Sequence, residues 1–173
     1  MKRAILAVGV LWLVIMGGMV GIKEYTLRTG HGILLKTVPV DPRDLFRGDY
    51  VILSYDMSSL DLDKLGAAGA TFSRGQTVYV LLGTDGGYSV ATGVRSSRPS
   101  HEELFLKGHV LDVSGRTVRV EYGIESYFVP EGKGRALEHA RGKNLDVRAA
   151  VDKQGHAVIK TLLLDGKEVR FSQ

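Results

Sequence analysis

The strongest constraint in this sequence lies at its start. From Ala4 to Ile22, AILAVGVLWLVIMGGMVGI, 19 consecutive residues carry no charge, with Lys2 and Arg3 before them and Lys23 and Glu24 after. A helix rises about 1.5 Å per residue, so the run reaches about 28 Å, close to the roughly 30 Å hydrocarbon core of a bilayer. A cleaved signal peptide has a shorter apolar region, about 7–15 residues, closed by a small-x-small site such as Ala-x-Ala. No Ala-x-Ala follows here, and there is no cysteine for a lipid anchor. Gly17, Gly18 and Gly21 are small enough to keep cleavage open, but the length favours an uncleaved anchor. Positive charge precedes the run and the charges of Lys23 and Glu24 cancel after it, so the positive-inside rule puts residues 1–3 in the cytoplasm. Residues 4–22 then cross the inner membrane as a single pass and touch lipid, 23–32 form a juxtamembrane linker, and 33–173 form one extracytoplasmic domain. Gly17 and Gly21 have the Gly-x-x-x-Gly spacing that lets helices approach closely in lipid, either to another membrane protein or to a second copy.

Beyond the anchor the pattern changes to short alternating segments separated by Gly, Asp and Ser, which reads as antiparallel β structure. The expected strands are Ile33–Val40, Asp49–Tyr55, Thr77–Leu82, Tyr88–Val94, Leu104–Val113, Thr117–Val129, Leu145–Val151, Ala157–Leu164 and Lys167–Phe171. Thr84-Asp85-Gly86-Gly87, Ser114-Gly115 and Asp165-Gly166 supply the positive-φ residues that tight hairpins need. Two stretches read as short helices: Ser59–Leu65, capped by Ser58 or Ser59, and Gly134–Arg141. The expected architecture is mainly β: a single N-terminal transmembrane helix followed by one antiparallel β sandwich or partly open barrel with one or two short helices.

The chemistry-bearing residues do not assemble into a local catalytic signature. There is no cysteine, and His31, His101, His109, His139 and His156 show no metal-ligand spacing, so neither a metal nor another cofactor is expected. Ser89 lacks a glycine two residues on, which a nucleophile elbow requires. Removing Lys2 and Arg3 from 23 basic residues leaves 21 against 19 acidic ones, too even a balance for a nucleic-acid groove. Glu121, Glu125, Glu131 and Glu138 bracket Tyr127 and Pro130, and a carboxylate pair about 5–10 Å apart could cut a glycosidic bond. Turn capping is the commoner use of such residues. Tyr50, Tyr55, Tyr122, Tyr127 and Phe128 read as core aromatics in preference to a ligand platform.

One segment stands out: Asp41-Pro-Arg-Asp-Leu-Phe-Arg-Gly-Asp-Tyr-Val-Ile-Leu-Ser-Tyr55. Pro42 and Gly48 shape a turn, Asp49 can accept loop amides, and a strand follows with Val51, Leu53 and Tyr55 on one face and Tyr50 and Ile52 on the other. Apolar on both faces, it reads as central. Gly48, Asp49, Tyr50, Leu53 and Tyr55 fill all five positions of the motif that names the GDYXXLXY family, which this chain resembles. A second block, Tyr122-Gly-Ile-Glu-Ser-Tyr-Phe-Val-Pro-Glu-Gly132, is similar to the family's later block through Gly123, Glu125, Tyr127, Pro130, Glu131 and Gly132. The resemblance implies a bacterial, membrane-anchored protein without defined catalytic residues, often encoded beside multi-pass membrane proteins. Leu45, Gly48, Asp49 and Val51 also resemble the L-x-x-G-D-x-V element of signal peptidases, but Val40 stands where that family has its nucleophilic serine.

The expected role is therefore a noncatalytic accessory or interaction subunit of an envelope membrane-protein assembly. Its partner would be an integral membrane protein, met through the glycine-bearing helix and the domain surface nearest the bilayer. The alternative is an enzyme or sensor acting on envelope carbohydrate or peptide through a carboxylate cleft around Asp49, Glu125 and Glu131.

Overall fold

The computed structural model describes residues 2–38, 46–47, 50–100, 102–129 and 145–169. Helix α1 (Lys2–Thr29) has 28 residues, about 42 Å. All residues from Leu6 to Tyr25 are exposed, and the helix is long and apolar enough to cross a membrane. It does not stop where the apolar run does. Residues 23–29 continue it, and its last turns pack against the domain, with Thr26 buried and its hydroxyl donating to the Ile22 carbonyl at 3.1 Å. Gly30 closes the helix, its N–H donating to the Thr26 carbonyl at 2.8 Å.

The strands follow in order: β1 (His31–Val38), β2 (Phe46–Arg47), β3 (Tyr50–Ile52), β4 (Ser54–Tyr55), β5 (Ser59–Asp61), β6 (Thr77–Asp85), β7 (Tyr88–Arg95), β8 (Phe105–Ser114), β9 (Thr117–Glu121), β10 (Ser126–Phe128), β11 (Leu145–Val151), β12 (Ala157–Leu164) and β13 (Lys167–Glu168). Every pairing is antiparallel, in three sheets ordered β13-β12-β11-β1-β4, β10-β3-β2 and β5-β9-β8-β6-β7. The chain from Tyr50 to Asp61 passes through all three, and β7 lies alongside β1, so the sheets wrap into a nearly closed barrel. Alternation fills its interior: Leu35, Val78, Val80, Leu106, Val118, Val120, Val147 and Leu162 are almost wholly buried.

Turn chemistry placed the hairpins correctly. Gly86 and Gly87 have φ of +55° and +88°, Asp165 and Gly166 +49° and +77°, the signs that the favoured two-residue turn demands at both positions.

The strand that reads as Asp49–Tyr55 is divided: β3 is the central strand of its sheet, as expected, whereas β4 is an edge strand of another. β3 pairs with β2 and β10, β4 pairs with β1, and the switch falls at Leu53, whose N–H donates instead to the Glu125 carbonyl at 2.8 Å. Val51, Leu53 and Tyr55 do share the buried face, whereas Tyr50 on the other face is 49% exposed. Thr117–Val129 divides similarly, into β9 and β10, at Gly123, which has φ +80°.

Ser59–Leu65 is not a helix. A single 3-10 turn occupies Asp56–Ser58 and Ser59–Asp61 pairs with β9 as β5. Asp61 then takes the role expected of Ser58 or Ser59, its carboxylate accepting the amides of Asp63 and Lys64 at 3.1 and 3.4 Å before Gly66 turns the chain at φ +64°. Strand pairing of Leu60, which is buried, outweighs local helix signals. The helix expected at Gly134–Arg141 lies outside the described residues.

The junction between α1 and the domain is close-packed at Gly30. A Cβ there would lie 2.5 Å from the Thr26 carbonyl oxygen and 2.9 Å from that of Val151, both backbone atoms that cannot step aside. Gly30→Val should therefore cost about 1–3 kcal/mol, read from urea unfolding of the full chain in detergent. Gly32→Ala, where a Cβ meets nothing within 4 Å, should cost far less.

Candidate functional site

The two motif blocks meet. β3 and β10 pair in the register Tyr50↔Phe128, Val51↔Tyr127 and Ile52↔Ser126, so the first block lies directly against the second. On the inner side two tyrosines exchange hydrogen bonds across the join. The Tyr55 hydroxyl donates to the Ile124 carbonyl at 2.5 Å, and the Tyr122 hydroxyl donates to the Met57 carbonyl at 2.6 Å. All four residues are buried. Neither carbonyl belongs to a strand, because both lie where the chain changes sheets, and a phenol supplies what the ladder cannot. Burial pushes both phenols far above their ordinary pKa, with the negative charge of Glu125 adding to it, so both remain proton donors.

Glu125 closes the turn between β9 and β10. Its Oε1 accepts the Tyr122 N–H at 2.6 Å, while its Oε2 is enclosed without a hydrogen-bond partner. Burial raises the Glu125 pKa, the amides of Tyr122, Glu125 and Gly123 pull it down, and the charge of Glu121 adds a further rise; the net direction is upward.

The outer side differs. Tyr50 and Phe128 meet edge to face, with ring centroids 5.5 Å apart and planes at 70°, and stay 49% and 55% exposed. Tyr127 packs against the core. The five aromatics expected in the core therefore divide: Tyr55, Tyr122 and Tyr127 build the interior, and Tyr50 and Phe128 present a surface. Tyr55 pairs with Thr37 at the end of β1 remote from α1, about 20 Å of extended chain from His31.

Gly48, Asp49, Pro130, Glu131 and Gly132 lie outside the described residues, so Glu125 alone among the three carboxylates Asp49, Glu125 and Glu131 is described. It sits in the turn it caps. Gly17 and Gly21 lie on the exposed wall of α1, where a Cβ on either would meet nothing within 4 Å. Among the described residues no group of three or more His, Asp or Glu is placed to hold a metal.

Sequence reasoning missed Tyr122 and Met57 as partners, since they are 65 residues apart. It also missed a groove of about 550 Å³ between β7 and β5, lined by Lys36, Asp61, Lys64, Asp85, Tyr88 and Ser89 among others and by none of the motif residues. The Tyr88 hydroxyl at its edge donates to Asp146 at 2.8 Å and ties the β6–β7 hairpin to β11.

A family model described as GDYXXLXY protein matches residues 12–162, and the chain belongs to that family. No curated protein and no solved structure matches it.

Two outcomes test the join. Tyr55→Phe leaves the buried Ile124 carbonyl unpaired and should cost about 1–3 kcal/mol in unfolding free energy. Glu125 has a folded pKa above its unfolded value near 4.5, so its contribution is fully present below that value and is lost as pH rises through the folded pKa. The difference in urea midpoint, wild type minus Glu125→Gln, should therefore fall as pH rises from acid toward neutral.

Proposed function

We propose that this GDYXXLXY family member is a noncatalytic, membrane-anchored accessory subunit of a bacterial envelope assembly, with its N-terminus in the cytoplasm and its β domain outside the inner membrane. The observation that carries the reading is the exposed Tyr50–Phe128 pair, an aromatic surface built by the family's own motif blocks yet unused by the core. Exposed aromatics of this kind anchor protein interfaces, offering large rigid area at small entropic cost. The second support is α1, whose apolar wall is exposed from Leu6 to Ile22 and includes Gly17 and Gly21, room for a neighbouring helix in lipid.

The partner in this reading is an integral membrane protein, met through the glycine-bearing helix and through the domain surface that presents Tyr50 and Phe128.

Purification of the full chain from native membranes in mild detergent should bring down a stoichiometric integral-membrane companion. Tyr50→Ala with Phe128→Ala should deplete that companion at least tenfold while leaving the strand signal in circular dichroism unchanged. A lone monomer, or a companion indifferent to the double change, argues against the proposal.

A further inference from the structure

Several basic side chains gather at the turn of the barrel beside α1. The last turns of α1 pack against β11 and β12, and Gly30 lies within a Cβ's reach of the Val151 carbonyl, so the turn 152–156 joining β11 to β12 sits next to the point where the helix enters the domain. Other elements are tied to this turn. Arg98 donates to the Lys153 carbonyl at 2.9 Å, Lys107 donates its backbone N–H to the Gly155 carbonyl at 2.8 Å, and the Lys107 Nζ lies 3.5 Å from His156 Nε2. The packing is tight enough that a Cβ on Gly155 would strike the Phe105 ring and the Lys107 amide.

The one acid within the turn is occupied internally. Asp152 accepts the amides of Gln154 and His156 at 2.8 and 2.9 Å and stands 3.2 Å from His156 Nδ1, with its side chain mostly covered. The neighbouring Arg95 is paired with Glu103 and Arg28 with Glu24. Arg98, Lys107 and Lys153 form no ion pair among the described residues.

Height decides what these cations meet, on the reading that α1 crosses the bilayer. The apolar run ends at Ile22, and Tyr25, exposed three residues on, has the side chain favoured at the headgroup level. Gly30 stands about 12 Å above Ile22, whereas the polar layer on each side of a bilayer is about 5–8 Å thick and the field of its charges reaches about 8 Å further at physiological salt. Because α1 enters the domain without a flexible linker, the turn 152–156 cannot drift out of that zone. We propose that Arg98, Lys107 and Lys153 form a collar that binds the phosphates of anionic phospholipid headgroups and seats the barrel on the membrane in one orientation.

The chain has no cysteine, so Gln154→Cys gives a single attachment point for a nitroxide in the middle of the turn. Full-length labelled protein is reconstituted in vesicles of phosphatidylcholine alone or of phosphatidylcholine with phosphatidylglycerol. In the mixed vesicles the label should become less accessible to a water-soluble relaxation agent, several-fold relative to phosphatidylcholine alone. High salt, or Arg98→Glu with Lys107→Glu and Lys153→Glu, should abolish the difference. Equal accessibility in both vesicles, or a difference that survives charge reversal, overturns the collar. Flotation in the same samples separates the two readings: protein that floats with both vesicles but shows no lipid-dependent change refutes the collar alone, and protein that floats with neither refutes the anchor and the collar together.

Discussion

The fold depends on satisfying two main-chain carbonyls, those of Met57 and Ile124, in an interior closed to water. Each lies where the chain leaves one sheet for another, and such crossings strip a residue of its ladder partners. A buried acceptor left without a donor costs about 1–3 kcal/mol, a sizeable part of the stability of a domain this size. Tyr55 and Tyr122 answer the problem reciprocally, Tyr55 reaching into the second motif block at Ile124 and Tyr122 reaching to Met57 in the turn just after the first. The Leu53 N–H adds a third bond, to the Glu125 carbonyl, at the place where β3 gives way to β4. Three sheets are thus fastened at one join, and the family's two motif blocks coincide with it.

This arrangement explains why the motif contains residues of opposite character. Leu53 and Tyr55 face inward and hold the crossing together, and Gly123 accepts a backbone angle of +80° that lets Glu125 fold back over the turn. Tyr50, one strand position from Val51, points the other way and packs on Phe128 in the open. Period-two alternation makes this separation automatic: the same short segment supplies a structural face and a presented face.

What could be read from the sequence was what depends on neighbours along the chain. The charge-free run from Ala4 to Ile22 specifies a long apolar helix, and Asp-Gly and Gly-Gly pairs specify tight hairpins, because both are decided within a few residues. The inward set Val51, Leu53 and Tyr55 was legible for the same reason. The divisions at Leu53 and Gly123 were not, since each is imposed by a partner about 70 residues away. Ser59–Leu65 misled in a related way: its serines and leucines suit a capped helix, but pairing of Ser59, Leu60 and Asp61 with Arg119, Val118 and Thr117 claims the backbone first. The extension of α1 past Ile22 was hidden because Lys23 and Glu24 suggest a boundary, while Thr26 and Gly30 find their reason only in the packing of β11 and β12.

The continuity from helix to motif has a mechanical consequence. α1 ends on Gly30, β1 begins at His31, and the far end of β1 pairs through Thr37 and Val38 with Tyr55 and Ser54. Helix α1 and the tyrosine join are therefore linked by a single strand that is also bonded along most of its length to β11. A hinge at the domain entry would let the barrel tumble independently of α1. Gly30, with no space for even a methyl group, acts in the opposite sense, because the absence of a side chain there permits contact rather than freedom. Close packing at Gly30 consequently fixes how the barrel is oriented to α1, so in the proposed reading a partner that recognises Tyr50 and Phe128 would meet them without the entropic cost of ordering a loosely tethered domain.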